Sequence, residues 1–118
     1  MNSLSNILAQ ENENYFILNL TGKFVGDEET DELKRQLEGI AKVSRKNVLI
    51  NFEKVTYFSS IALGILVKED ETFSINDRKM VIYNVPSFLE NIFVLTKLNS
   101  ILNVIPTFED AEKIVLAN

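Results

Sequence analysis

The side chains best placed for chemistry are two adjacent hydroxyls, Ser59 and Ser60, in the stretch Phe58-Ser59-Ser60-Ile61. A serine nucleophile needs a base within hydrogen-bond reach. The sequence has no histidine, so a lysine or a carboxylate would have to serve, and neither Lys54 nor Lys68 stands at a spacing that argues for it. The absence of cysteine removes disulfides, thiolate catalysis and thiolate-ligated metals. Asp27-Glu28-Glu29-Thr30-Asp31-Glu32 gathers carboxylates that could bind a metal or transfer protons, but no second cluster completes a site. It suits the acidic first turn of a helix. Phosphate-cradling loops need several glycines between strand and helix, whereas the strand-to-helix loops here carry Ser59-Ser60 or Asn84-Val85-Pro86. A receiver domain needs carboxylates at its strand ends to hold magnesium, and Asn51 and Ser59 stand in those places. What the serines offer without further partners is a helix cap, since a Ser hydroxyl accepts from an otherwise unpaired backbone N–H.

The elements that position them follow from apolar spacing. Val48 to Phe52 is a β-branched, mostly apolar run expected to be a buried strand, and Ile61 to Val67 is apolar without alternation before Lys68-Glu69-Asp70-Glu71. Strand, loop and helix result, with the serines where the helix begins and Ser59 as its cap. On that helix Leu63, Leu66, Val67 and Phe73 share one face, and Ile61 and Ile65 fall on another with Lys68 and Thr72. The two isoleucines are either core or a partner-contact patch.

Upstream, Leu4 to Ala9 and Tyr15 to Leu20 form an antiparallel pair across a polar loop. Gly22 and Gly26 bracket a short loop holding Phe24 and Val25, and a helix follows with Leu33, Leu37, Ile40 and Ala41 inward and Lys34, Arg35 and Glu38 outward. Downstream, Asn76-Asp77-Arg78 is a polar turn and Lys79 to Asn84 a strand. Pro86 suits the first position of a helix ending near Lys97, with Phe88, Ile92 and Leu95 as its buried face. Val104-Ile105 is a last strand, and Thr107 caps a final helix with Ala111, Ile114 and Val115 inward. Strands alternating with crossover helices predict an α/β fold, its sheet mostly parallel with an antiparallel N-terminal strand and about four helices.

The chain has 118 residues, 46% apolar and 25% charged, which is ordinary globular composition and suits one domain spanning residues 1–118. No apolar run approaches the roughly 20 residues of a membrane span, and Met1 to Gln10 lacks a signal-peptide pattern. A cytoplasmic location is expected. The net charge of −5 disfavours nucleic acid and anionic lipid as partners. Lys42, Arg45 and Lys46 are the one basic cluster, placed where a helix end favours cations.

The run Val48-Leu-Ile-Asn-Phe-Glu-Lys-Val-Thr-Tyr-Phe-Ser-Ser-Ile-Ala-Leu-Gly-Ile-Leu66 resembles the signature segment of STAS domains, specifically the bacterial anti-sigma factor antagonists. In that family an Asp-Ser-x-Gly-Leu-like stretch opens a helix after a strand that ends in an Asp-containing loop. Ser60 takes the place of the serine that a partner kinase phosphorylates, Ser59 that of the Asp and Ala62 that of the Gly. Leu63, Gly64 and Leu66 fit as they stand, and Asn51 replaces the strand-end Asp. Phe16 to Gly22 resembles the family's opening strand, and Leu98 to Ala111 its closing segment. The resemblance implies a single STAS-type domain that is not an enzyme and uses no cofactor or metal. Its implied partners are an anti-sigma factor acting as serine protein kinase, and a serine phosphatase. The implied contact residues are Ser59, Ser60, Ile61 and Ile65, with Ser60 as phosphoacceptor. Two other uses of the chain stay open at this level: an interaction module that is never phosphorylated, and a domain binding a small ligand or nucleotide.

Overall fold

A computed structural model of the chain describes residues 6–117. Strands β1 (Ile7–Glu11) and β2 (Tyr15–Phe24) form the antiparallel pair, and helix α1 (Glu28–Val43) leads to β3 (Asn47–Phe58). Helix α2 (Ser60–Ile75), strand β4 (Met80–Tyr83) and helix α3 (Ser87–Leu95) follow, then a 3₁₀ turn (Leu98–Ser100), β5 (Asn103–Ile105) and α4 (Phe108–Leu116). The sheet order is β1-β2-β3-β4-β5, with β2 through β5 parallel. The expected α/β topology is what the chain adopts. The predicted strand from Leu4 begins at Ile7; Leu4 and Ser5 lie outside the described residues.

Each crossover advances one strand in the same direction, so the right-handed rule puts α1, α2 and α3 on one face of the sheet. Their apolar sides meet β2, β3 and β4 there: Leu33, Leu37 and Ile40 of α1, Leu63, Leu66 and Phe73 of α2, and Leu89 and Phe93 of α3 are buried in one cluster with Leu18, Ile50 and Ile82. Helix α4 covers the opposite face, packing Ala111 and Val115 on Tyr15, Leu49, Val81 and Tyr83. This explains why all of β4 is buried, since a parallel strand with helices on both sides has no polar face.

Two local readings change. The buried face of α3 is Leu89 and Phe93, whereas Phe88 and Leu95 are exposed and Ile92 is half-buried. Pro86 is the cap residue, so the helix starts one position later than expected and its inward stripe is offset accordingly. Arg78, which ends the polar turn, is turned inward and not toward solvent. Its guanidinium is buried, lies over the Phe73 ring at 5.0 Å, and donates to the carbonyl oxygens of Ile40, Ala41 and Ser44 at the end of α1. Of these only Ile40 O has a backbone partner, the Ser44 N–H at 3.1 Å, and the negative end of the helix dipole faces the cation.

The other buried charge has no such arrangement. Glu69, on the side of α2 that meets α1, is 1% exposed and its Oε1 has no hydrogen-bond partner. Burial, and next the Glu38 carboxylate, push its pKa above the ordinary 4.5, against the opposing pull of Lys68, Lys34 and Lys42. A carboxyl whose folded pKa is raised contributes most at low pH, and that contribution is lost as pH rises from the unfolded value through the folded one.

Two stability measurements follow from these groups. Arg78→Met takes the guanidinium away from the Ala41 and Ser44 carbonyls and lowers the unfolding free energy by about 3 kcal/mol in urea titration. Glu69→Gln gains over the native chain as pH rises from about 4.5, and equal pH profiles for the two proteins would show that Glu69 ionises without penalty.

Candidate functional site

Strand β3 carries the serines to their place by running further than Phe52, where apolar continuity suggested it would end. Beyond Asn51, which pairs with Tyr83, it has no β4 partner and continues against β2 alone, pairing Lys54 with Thr21, Val55 with Gly22, Tyr57 with Lys23 and Phe58 with Phe24. Register shifts between Asn19 and Thr21 and between Gly22 and Lys23 accompany a φ of +87° at Gly22. Gly22 and Phe24, expected in a loop, therefore belong to β2. Phe52, Val55 and Phe58 are all buried. The Phe58 ring lies 5.3 Å from that of Phe24 and 5.0 Å from that of Phe52, centroid to centroid, which closes this end of the core.

Asn51 is the centre of an amide chain across the sheet. Its Nδ2 donates to Asn19 Oδ1 at 2.9 Å, and Asn19 Nδ2 donates to Gln10 Oε1 at 2.9 Å. Asn51 Oδ1 accepts from the Glu53 backbone N–H at 3.0 Å and from Asn84 Nδ2 at 3.3 Å. A carboxylate at position 51 could accept but not donate, so the asparagine fits this network in a way that the aspartate of the resemblance would not.

At the end of β3 the Ser59 N–H donates to Phe24 O at 2.8 Å, fastening the strand end to β2. The backbone stays extended at Ser59 (φ −78°, ψ 169°), and its Oγ accepts from the Ala62 N–H at 3.2 Å. Ser59 is thus the N-cap of α2, as expected. Ser60 is the first helical residue and is exposed, and its hydroxyl makes no hydrogen bond to another described residue. Ile61 is 62% exposed, Ile65 is half-buried, and Ala62 points into the core. The outward face of this turn is therefore Ser60 and Ile61, with Ile65 one turn further along, while Ser59 is occupied with structure.

The β2–α1 loop completes the site, and sequence reasoning did not place it there. Gly26 has a φ of +98°, and a Cβ on it would lie 3.0 Å from Ile61 Cδ1, so the loop folds directly against the isoleucine. Two side chains of the first turn of α1 hold it: Glu29 Oε2 accepts from the Val25 N–H at 3.0 Å, and Thr30 Oγ1 accepts from the Gly26 N–H at 2.9 Å. The Val25 bond pulls the Glu29 pKa below the ordinary carboxylate range. Asp27 stands at the N-cap of α1 but makes no side-chain capping bond. The signal that was available is Gly26 itself, a glycine between a strand and an acidic helix start. Gly64 is also exposed, and a Cβ there would meet nothing within 4 Å.

Among the described residues no general base reaches Ser60, and no group of three or more acidic side chains is gathered as a metal site. No helix of the described residues is long and apolar enough to cross a membrane. The site offers an accessible hydroxyl at a helix start beside exposed apolar surface from Ile61 and Val25. Its two serines should separate in unfolding experiments: Ser59→Ala loses the cap and about 1 kcal/mol, whereas Ser60→Ala stays within about 0.5 kcal/mol of the native chain.

Comparison with known proteins bears on this arrangement. The sequence pattern of the STAS domain matches residues 4–111. A putative anti-sigma factor antagonist from Thermotoga maritima is similar in structure, with a TM-score of 0.84 at 17% identity over 97% of each chain. An anti-sigma factor antagonist from Mycobacterium paratuberculosis has a TM-score of 0.80 at 18% identity over 98% of each. The Bacillus cell fate determinant SpoIIAA in its phosphorylated form has a TM-score of 0.71 at 12% identity, over 92% of this chain and 98% of that one. At these identities the structural likeness speaks to the fold.

Proposed function

Because this chain belongs to the STAS domain family, we propose that it is an anti-sigma factor antagonist, a protein-protein switch set by phosphorylation of Ser60. The observation that carries this reading is the division of labour at the start of α2, where Ser59 holds the cap and Ser60 stands exposed beside Ile61. A phosphate on Ser60 adds about −1.5 to −2 charges at a helix N-terminus, where the dipole and free N–H groups favour an anion. The first turn of α2 has no acidic residue to oppose it. The fold keeps its shape and the surface changes its charge. A partner docked over Ser60, Ile61 and Ile65, and touching Ser59 at the edge, would have to desolvate that charge, so phosphorylation releases it.

The partner in this reading is an anti-sigma factor that is itself the serine kinase, and a serine phosphatase restores the binding form. The protein contributes no catalytic group, needs no cofactor, and acts in the cytoplasm as one domain without touching nucleic acid. Two kinds of relative support it: SpoIIAA is known in phosphorylated and unphosphorylated forms, and a serine-to-glutamate form of RsbS from Moorella thermoacetica shares the fold at a TM-score of 0.73. Asn51 and Ser59, where the family has carboxylates, leave the electrostatics of the docking face less negative than the family's. Kinase recognition here rests accordingly on the hydroxyl and the apolar surface.

Incubation with the candidate kinase and ATP, followed by peptide mass spectrometry, should place one phosphate on Ser60. Ser60→Glu and Ile61→Asp should each weaken binding of the partner, relative to the unphosphorylated native chain, by about tenfold or more, roughly 1.4 kcal/mol. Equal binding by Ser60→Ala and Ser60→Glu, with Ile61→Asp alone defective, would instead identify an interaction module without the switch. A paired glycine test reads the surface itself. Neither Gly39 nor Gly64 has a neighbour within 4 Å of an added Cβ, so Gly39→Ala and Gly64→Ala should each stabilise the helix by about 0.5–1 kcal/mol. Only Gly64→Ala should impair the complex.

A further inference from the structure

The sheet ends differently at its two outer strands. β5 is three residues long and runs directly into Pro106, so it offers little backbone to a further strand. β1 is open. Ile7 is buried, but Leu8, Ala9, Gln10 and Glu11 are all exposed. The bonds to β2 show which backbone groups of β1 are free: the Thr21 N–H donates to Asn6 O at 2.8 Å, the Asn12 N–H donates to Tyr15 O at 3.1 Å, and the register between them is unbroken. Antiparallel pairing bonds every second residue to a given neighbour, so Leu8 and Gln10 also face β2. Ile7, Ala9 and Glu11 turn their N–H and C=O groups to the outer side, where no described residue meets them.

A lysine, a proline or a bulge commonly guards such a strand against pairing, and Ile7-Leu-Ala-Gln-Glu11 has none of them. Its single charge, Glu11, is already paired with Lys46 at 2.7 Å. The strand is also complementary to itself. Two copies laid antiparallel about Ala9 set Ala9 opposite Ala9 and Ile7 opposite Glu11, so all three outward residues of each copy are bonded and the two glutamates stand at opposite ends. The same two-fold rotation sets α1, which lies over β1 and β2, antiparallel to its counterpart. Glu28 and Asp31, exposed in the acidic first turn of α1, then lie toward the end of the other helix that carries Lys42 and Arg45. Opposite charges meet along the junction, which a foreign strand would not supply.

We propose that β1 is the docking edge for a second copy of this chain, joined two-fold and antiparallel about Ala9 so that the two sheets become one of twice the width. Five residues a side bury less than the roughly 800 Å² per partner of a stable interface. The dimer is accordingly weak, with a dissociation constant on the order of 0.1 mM. Its two-fold axis points the Ser60 ends of the two copies in opposite directions, so each keeps its own site free and the pair can hold two partners at once. The pairing does not depend on phosphorylation of Ser60, and the two can fail separately.

Sedimentation equilibrium of the whole chain from about 10 μM to 1 mM tests it, and should show a monomer–dimer equilibrium that added salt weakens severalfold. The sequence has no cysteine, so a single substitution introduces a single thiol. Opposed Cα atoms of a hydrogen-bonded antiparallel pair lie about 5.5 Å apart, within disulfide range. Under mild oxidation Ala9→Cys should therefore form covalent dimers at least about tenfold faster than Lys113→Cys, an exposed position on α4. Ala9→Pro removes only an N–H turned away from β2 and should hold the chain monomeric. Leu8→Lys leaves the backbone intact, brings two like charges together at the junction, and should weaken association at least about threefold. Ile61→Asp should leave it unchanged. A chain still monomeric at about 1 mM would leave the edge to an extended segment of another protein and overturn the assignment to a second copy. Cross-linking of Ala9→Cys no faster than that of Lys113→Cys, or undiminished association of Leu8→Lys, would overturn it as well.

Discussion

One backbone hydrogen bond fixes where the candidate site stands. The Ser59 N–H reaches across to Phe24 O at 2.8 Å, and by doing so it ends β3 against β2 and starts α2 at a defined point. The paired strand ends need this closure because neither has a β4 neighbour at that level. The contact of Phe58 with Phe24 and Phe52 seals the core directly beneath. With the strand ends tied, the β2–α1 loop can lie on Ile61 and the Ser60 hydroxyl can face solvent. Weakening the tie would move the helix start, the loop and the hydroxyl together.

The two buried charges on the α1–α2 side of the molecule are held by opposite means. Arg78 brings its charge to a place already electronegative, the frayed carbonyls of α1, and is satisfied by Ile40, Ala41 and Ser44. Glu69 enters a place that supplies no donor to Oε1. Both sit where the pattern of polar residues suggests water. A polar residue on a helix or in a turn is read as solvated because most are, and nothing in the local sequence of Asn76-Asp77-Arg78 or Lys68-Glu69-Asp70 marks the exception. Only the arrival of α1 from elsewhere in the chain makes these two sites interior.

Much else is legible. The alternation of apolar runs and helical stripes yields the order of elements, the antiparallel first pair and the parallel remainder, because those patterns are local and one face of each element dominates. The caps at Ser59 and Thr107 are visible for the same reason. The second half of β3 is not. Its inward residues Phe52, Val55 and Phe58 recur at intervals of three, which is no strand period, and the extra residue that β3 carries opposite β2 at each register shift is what makes that spacing work. The stripe of α3 slips because Leu89 and Phe93 and their neighbours Phe88 and Ile92 are all apolar, so spacing alone offers two equivalent faces. At the site, the serine loop can be read from its residues, but the seat of Gly26 against Ile61 depends on the approach of two segments distant in sequence.

The adjacency of Ser59 and Ser60 separates two duties that a single serine would have to share. Ser59 answers to the fold through its cap and its strand tie, and Ser60 carries neither. Natural selection can therefore act on position 60 through partners alone. A lineage can gain, lose or mimic a charge there by one substitution without passing through a misfolded ancestor, because most exposed changes away from such structural duties cost little stability. The helix start is in this sense an evolutionary dial mounted on a fixed frame.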